Sequence, residues 1–284
     1  MTKVRHSSRI ELSQSALKGN INFLRKKIGA AIRLSCVVKA NAYGHGIAQY
    51  VPMAEKCGID HFSVASSFEA EEVLDACKPT TRIMIMGILY DQDLAWAIEH
   101  GIEFYVFNSE RLPLILEEAK RLDKKALIHL EVETGANRTG LAMESFLKAY
   151  EFTRKNKSYL EFEGLCTHFG GAENFSNDFK IKKQHERFKK FLQVCRRKKF
   201  MPNYRHIASS AAAMSYPDSR YDMVRVGVSQ YGFWPSPDVY YCHLEQENKT
   251  KESALKRIFT WKTDIMDIRN VEEGEFVGYG TSYQ

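Results

Sequence analysis

The sequence predicts an α/β fold: a (β/α)8 TIM barrel over residues 1–240, followed in 241–284 by the start of a β-rich C-terminal domain. Three observations predict it. Eight short apolar runs each end in small or polar residues, and helical periodicity fills the gaps between them. The alternation spans roughly residues 8 to 240, close to the usual barrel size of about 250. A doubly wound open sheet is the alternative, yet no G-x-G-x-x-G follows the first strand to favour it.

The strand candidates come in order as "LSCVVKA" (34–40), "HFSVASS" (61–67), "RIMIMG" (82–87) and "EFYVFN" (103–108). Then follow "ALIHLEVETG" (126–135), "EFEGLCTHFG" (161–170), "YRHIASS" (204–210) and "DMVRVGVSQYG" (222–232). Each is a short apolar run that closes on small or polar residues, which is the pattern of a buried parallel strand. Between them, "GIAQYVPMAEKCG", "FEAEEVLDACK", "DQDLAWAIEHG", "SERLPLILEEAKRLD", "MESFLKAYEFTRKN", "DFKIKKQHERFKKFLQVCRRKK" and the short "SAAAMSY" carry helical spacing. Several end in Gly or basic residues, as helix termini do. Beyond "FWPSPD" (233–238) the pattern changes: the polar "HLEQENKTKESALKR" leads into an extended "IFTWKTDIMDI" and then "EEGEFVGYGTSYQ". About forty residues are too few to close an independent β domain.

Composition narrows the class. Among 284 residues, 44% hydrophobic and 27% charged is ordinary globular usage and excludes disordered and fibrous chains. "MTKVRHSSRIEL" lacks the apolar core of a signal peptide, and no run approaches a membrane span, so a cytoplasmic protein is expected. The six cysteines lack metal-type or C-x-x-C spacing and read as reduced packing residues. The net charge of +6 comes from "RKK" (25–27), "KIKK" (180–183) and "RRKK" (196–199), where basic residues mix with glutamates and apolar spacers on probable helices. That is a solvated helix face; no nucleic-acid or membrane partner is expected.

Chemistry in a barrel of this kind belongs at the C-terminal strand ends. Those ends offer Lys39 and Tyr43, Met86, Glu131, Glu133 and Arg138, His168, Ser209 and Ser210, then Arg225, Gly227 and Val228. Individually each has an ordinary reading, the serines as helix caps and Arg225 as an ion-pair partner. Jointly, "SSAAA" at a helix start and the glycine of "RVGV" supply phosphate donors after the last two strands. A lysine across the mouth suggests a phosphorylated aldehyde held as a Schiff base, which points to pyridoxal 5'-phosphate. A metal site is the rival, because His129, Glu131 and Glu133 alternate and His168 and His206 come from the next two strands. It lacks an H-x-H after the first strand and a late aspartate.

"VVKANAYGHG" resembles the cofactor-lysine signature of the bacterial, pyridoxal phosphate-dependent alanine racemase family. The resemblance continues through "ETGANRTGL", "GLCTHFG", "SSAAAMSYPD", "MVRVGVSQYG" and "EGEFVGYGTSY", covering nearly the whole chain in order. It implies that Lys39 carries the cofactor and that Tyr43, Ser210, Gly227 and Val228 hold its phosphate, with Met86 lining it. It further implies that Arg225 faces the pyridine nitrogen, leaving that nitrogen unprotonated and suppressing transamination. Arg138 would meet the cofactor's phenolic oxygen and the substrate carboxylate. Tyr279, in "VGYGTSY", matches the second catalytic base, delivered to a partner subunit's site, and His168 would orient it. Lys39 and Tyr279 would then act on opposite faces of Cα.

Three departures accompany the match. Glu131 stands where the family usually has a lysine, often carbamylated, and is expected to brace Arg138 with its own negative charge. Ser209, counted with the cofactor residues, replaces the usual asparagine beside the phosphate serine. The chain ends at Gln284, shortly after Tyr279, so the second domain is expected to be incomplete. The resemblance implies an isomerase interconverting L- and D-alanine for peptidoglycan, working as a homodimer with shared sites. The alternatives are a racemase of broader or other specificity and a non-catalytic cofactor-binding barrel.

Overall fold

Ten strands and their connecting helices make up the computed structural model, which describes residues 6–247 and 254–284. Residues 1–5, at the start of the stretch read as lacking a signal peptide, and 248–253, within the polar stretch, lie outside the described residues.

All eight expected barrel strands are present. They are β2 (Arg33–Val37), β3 (His61–Val64), β4 (Arg82–Ile85), β5 (Glu103–Val106), β6 (Ala126–Glu131), β7 (Leu160–Cys166), β8 (Tyr204–His206) and β9 (Met223–Val226). Neighbours pair in parallel in the order β8-β7-β6-β5-β4-β3-β2-β9. The Asp222 N–H donates to the Arg205 carbonyl (3.1 Å) and the Arg225 N–H to the Ala208 carbonyl (3.0 Å), joining the two outer strands. The sheet therefore closes into a barrel, which leaves no exposed strand edge.

Each strand feeds a helix. The longest, Asp178–Lys198, buries Ile181, Phe188, Phe191, Leu192 and Cys195 on one stripe and leaves its many lysines in water. One helix is read from the sequence only at its basic end, "RKK" (25–27), and another escapes the reading. Gln14–Ile28 begins at Ser13, whose hydroxyl accepts from the Ala16 N–H, and buries Leu17, Ile21 and Leu24. Pro237–Gln246 begins at Ser236, whose hydroxyl accepts from the Val239 N–H, with a proline in its first turn. Ser-Pro is a helix-start signal, but the segment beyond it reads as a polar stretch leading into the second domain. This helix belongs to the compact unit Ser13–Ile258, which contains the barrel.

A second unit comprises Met1–Leu12 and Phe259–Gln284. In it β1 (Ser8–Leu12) and β10 (Phe259–Thr263) pair antiparallel, Ile10 facing Trp261, as the start of a β-rich domain would. A two-stranded ribbon buries little, and Trp261, Ile265, Met266 and Ile268 are all exposed.

Candidate active site

Lys39 follows a strand buried from Leu34 to Val37. Two donors converge on the Val37 carbonyl, two residues before the lysine: Gln230 Nε2 at 2.7 Å and the Tyr231 hydroxyl at 3.1 Å. Tyr50 in turn donates to Gln230 Oε1 at 2.7 Å. The strand end is thereby fixed, and the chain then departs from ordinary geometry. Ala40, Asn41, Ala42 and Tyr43 all adopt φ between 51° and 54°, one left-handed turn built from L-residues. Such backbone costs on the order of 1–2 kcal/mol per residue and persists only where the surroundings impose it. Here Glu69 Oε1 accepts from the Ala40 N–H (2.7 Å) and Asn41 Oδ1 from the Ile47 N–H (2.8 Å). The turn exposes Lys39 at the barrel mouth and brings Tyr43 back across it.

Lys39 and Tyr43 share one cavity of about 550 Å³ with Met86, Glu131, Arg138, His168, Ser209 and Arg225. Eight expected site residues, from six strand ends, thus meet at one place. Ser210 and Gly227 adjoin each other, the Gly227 N–H donating to the Ser210 hydroxyl at 3.0 Å. Val228 follows directly, opening a short 3-10 turn. A Cβ on Gly227 would lie 2.5 Å from the Tyr43 hydroxyl, so only glycine lets the tyrosine close over this backbone. Tyr279 lies in the second unit, fully exposed.

The charges around the cavity are uneven. Burial, reinforced by the Arg225, Arg138 and Lys39 cations, pushes the His168 imidazole down to about 3, so it stays neutral at physiological pH. Burial raises the Glu131 carboxyl, while the Thr139 hydroxyl and the Arg225 and Arg138 guanidiniums work in the opposite direction. Its Oε2 is buried without a hydrogen-bond partner, and so is the Tyr105 hydroxyl. Both residues line the cavity. An unpartnered buried oxygen is costly and recurs where a ligand completes the site.

Tyr105, Phe107 and Thr139 also line it and were not picked out from the sequence. The signal was available for the first two: in "EFYVFN" Glu103, Tyr105 and Phe107 alternate, so period two puts a carboxylate and two rings on one face. The rival metal set does not assemble. His129 turns inward to Glu103 and His206, and Glu133 accepts from the Gly135 and Asn137 N–H groups in its own loop.

The comparisons agree with this geometry. The profile of the family described as "Alanine racemase, N-terminal domain" matches residues 12–235. The chain belongs to the alanine racemase family. It is 30% identical over 275 residues to "Alanine racemase 1" of Oceanobacillus iheyensis, covering 97% of this chain and 70% of that protein. An alanine racemase of Methanococcus maripaludis is 30% identical over 282 residues, 99% of this chain and 72% of its own. Among solved structures, the alanine racemase of Clostridium difficile 630 superimposes with a TM-score of 0.87 at 29% identity, covering 99% of this chain and 71% of that one.

Proposed function

We propose that this chain is a pyridoxal phosphate-dependent racemase that interconverts L- and D-alanine with one base on each face of Cα. The observation that carries the reading is the convergence of Lys39, Tyr43, Arg138, Glu131 and Arg225 on one cavity at the barrel mouth. The site fits the cofactor in three respects. Gly227 keeps open a pocket that a Cβ would fill beneath the Tyr43 hydroxyl. Two buried cavity oxygens await partners. Arg225 spends three of its five N–H donors on His206 and on the Thr167 carbonyl, leaving two that no side chain among the described residues takes.

In this reading Lys39 holds the cofactor covalently, and Tyr43, Ser209, Ser210 and the backbone N–H groups of Gly227 and Val228 hold its phosphate. Met86 flanks it and Arg225 faces its ring nitrogen. When bound, the cofactor draws electron density from the substrate and so acidifies Cα–H. The chain's own side chains then place and move the proton. Arg138 takes the substrate carboxylate in a bidentate grip, and Glu131 supplies the anion that steadies it. Lys39 Nζ exchanges a proton on one face, and the Tyr279 hydroxyl of a second copy on the other, with His168 neutral so that it accepts from that hydroxyl. The same reading makes the protein a cytoplasmic homodimer supplying D-alanine for peptidoglycan.

Incubation with pyridoxal phosphate, borohydride reduction and peptide mapping by mass spectrometry tests it directly. A pyridoxyl mass on the Lys39 peptide, with α-proton exchange and racemisation strongest for alanine in a panel of amino acids, is expected. A folded chain unmodified at Lys39 would overturn the reading, and racemisation favouring another amino acid would replace the substrate.

A further inference from the structure

Beneath the cavity, the barrel interior holds a polar cluster that the proposed chemistry does not use. Glu103, His129 and His206 are each 0% exposed, and His61 is 1% exposed. They come from four different strands yet form one connected path. Arg225 Nη1 lies against His206 Nδ1, and His206 Nε2 is 2.8 Å from His129 Nδ1. His129 Nε2 is then 2.8 Å from Glu103 Oε2.

Guanidinium can only donate, and a neutral imidazole has one donor and one acceptor. His206 must therefore accept at Nδ1, which places its proton on Nε2. His129 then accepts at Nδ1, which places its proton on Nε2, and that proton faces a carboxylate. Every bond in the path points the same way, from Arg225 to Glu103. A protonated imidazole at either position would have to aim a donor at another donor.

We infer that Glu103 is the terminal acceptor of a one-way hydrogen-bond chain, Arg225 to His206 to His129 to Glu103, that fixes the guanidinium at the cavity floor. Glu103, His129 and His206 are positioning residues, and their role toward the cofactor rests on the reading of Arg225 proposed above. Further observations support the chain. Glu103 is pinned from below: Arg82 Nε donates to its Oε1 at 2.5 Å, and His61 Nε2 lies 3.3 Å from its Oε2. Arg82 is itself held by Glu163 at 2.8 Å, so the cluster's two guanidiniums are matched by two carboxylates. Burial would raise the Glu103 carboxyl, but His61 and His129 outweigh it and hold it well below the ordinary carboxylate range. Burial and the Arg225 charge push the His206 imidazole down, keeping it neutral.

The backbone has made room for this path. Gly164, buried on β7, faces His129 so closely that an added Cβ would overlap Nδ1, the atom that accepts from His206. A glycine inside a strand marks such an approach. Alanine at 164 therefore interrupts the chain without altering any member of it.

Long-range 15N–1H NMR of histidine-labelled, cofactor-free protein reads the chain directly, with signals assigned through the His129→Gln and His206→Gln variants. Neutral rings protonated at Nε2 are expected for both residues; a proton on Nδ1 or a cationic ring at either overturns the chain. Glu103→Gln is then loaded with 15N-labelled pyridoxal phosphate. A shifted pyridine nitrogen signal is expected, together with at least a fivefold larger share of turnovers ending in transamination and KM for alanine within twofold. An unmoved nitrogen signal and unchanged partition would confine the chain to a structural role and overturn the inference. If Glu103→Gln does not fold, Gly164→Ala provides the same readouts. Failure to load Lys39 would sink the proposed function while leaving the imidazole result standing.

Discussion

The mouth of the barrel and its interior treat polar groups in opposite ways. In the interior Glu103 takes donors from three side chains, and its neighbours His129 and His206 each use both ring nitrogens. At the mouth Glu131 and Tyr105 carry unpartnered oxygens, and four consecutive residues hold a left-handed backbone. The interior is satisfied and therefore stabilising to keep and costly to break. The mouth is unsatisfied, and its free valences are what a ligand would complete. Stability and function should consequently separate when the two regions are mutated.

The largest effect is expected from emptying the interior. Glu103→Ala strips the acceptor from His61, His129 and Arg82, leaving two buried imidazoles without that partner and Arg82 with Glu163 alone. Breaking a buried pair in this way costs about 3–5 kcal/mol. Urea denaturation should show a loss of that size with little change in m-value. A loss below about 1 kcal/mol would mean that water enters and replaces the carboxylate, and the contrast between floor and mouth would fail.

Removing the mouth's carboxylate should do the reverse. Glu131→Gln is expected to raise KM for alanine roughly tenfold, about 1.4 kcal/mol of lost transition-state and ground-state binding, while leaving stability at pH 7 unchanged or slightly higher. The sign follows from the raised carboxyl of Glu131. A group with its folded pKa above its unfolded value binds protons more tightly when folded, so its charged form costs stability above that pKa. The variant's advantage should therefore fade as pH falls through the raised value toward the ordinary carboxylate pKa near 4.3. Denaturation curves of both proteins across that range check the direction, and an advantage that grows on acidification would contradict it.

The same contrast explains what the sequence disclosed. The eight strands were legible because parallel barrel strands are buried on both faces and read as uninterrupted apolar runs, "RIMIMG" being an example. Lys39, Arg225 and His168 were legible because they interrupt or close such runs. Glu103 was not: it opens its strand, where a charged residue reads as a solvated edge, and only the closure of the barrel places it 0% exposed against His129. Period two along "EFYVFN" carried half of that information, and the rest lay in the pairing of β5 with β6, which sets Glu103 beside His129 across the barrel interior. The left-handed turn after Lys39 was also silent, since Ala40, Asn41, Ala42 and Tyr43 are not the glycines that usually announce positive φ.

That turn gives the smallest effect and the finest test of the contrast. Ala40 is exposed and its N–H bond to Glu69 is retained by any residue, so Ala40→Gly changes backbone preference and almost nothing else. Relief of the left-handed conformation is worth on the order of 1–2 kcal/mol, and the looser unfolded chain takes back about 0.4–1 kcal/mol. A net gain near 0.5–1 kcal/mol is expected. If the strain exists to hold Lys39 in place, kcat should fall a few-fold while the protein becomes more stable, the trade expected where activity depends on a strained site. A variant that is both less stable and fully active would show instead that the turn is comfortable as it stands, and that the converging donors on Val37 and Glu69 alone fix the lysine.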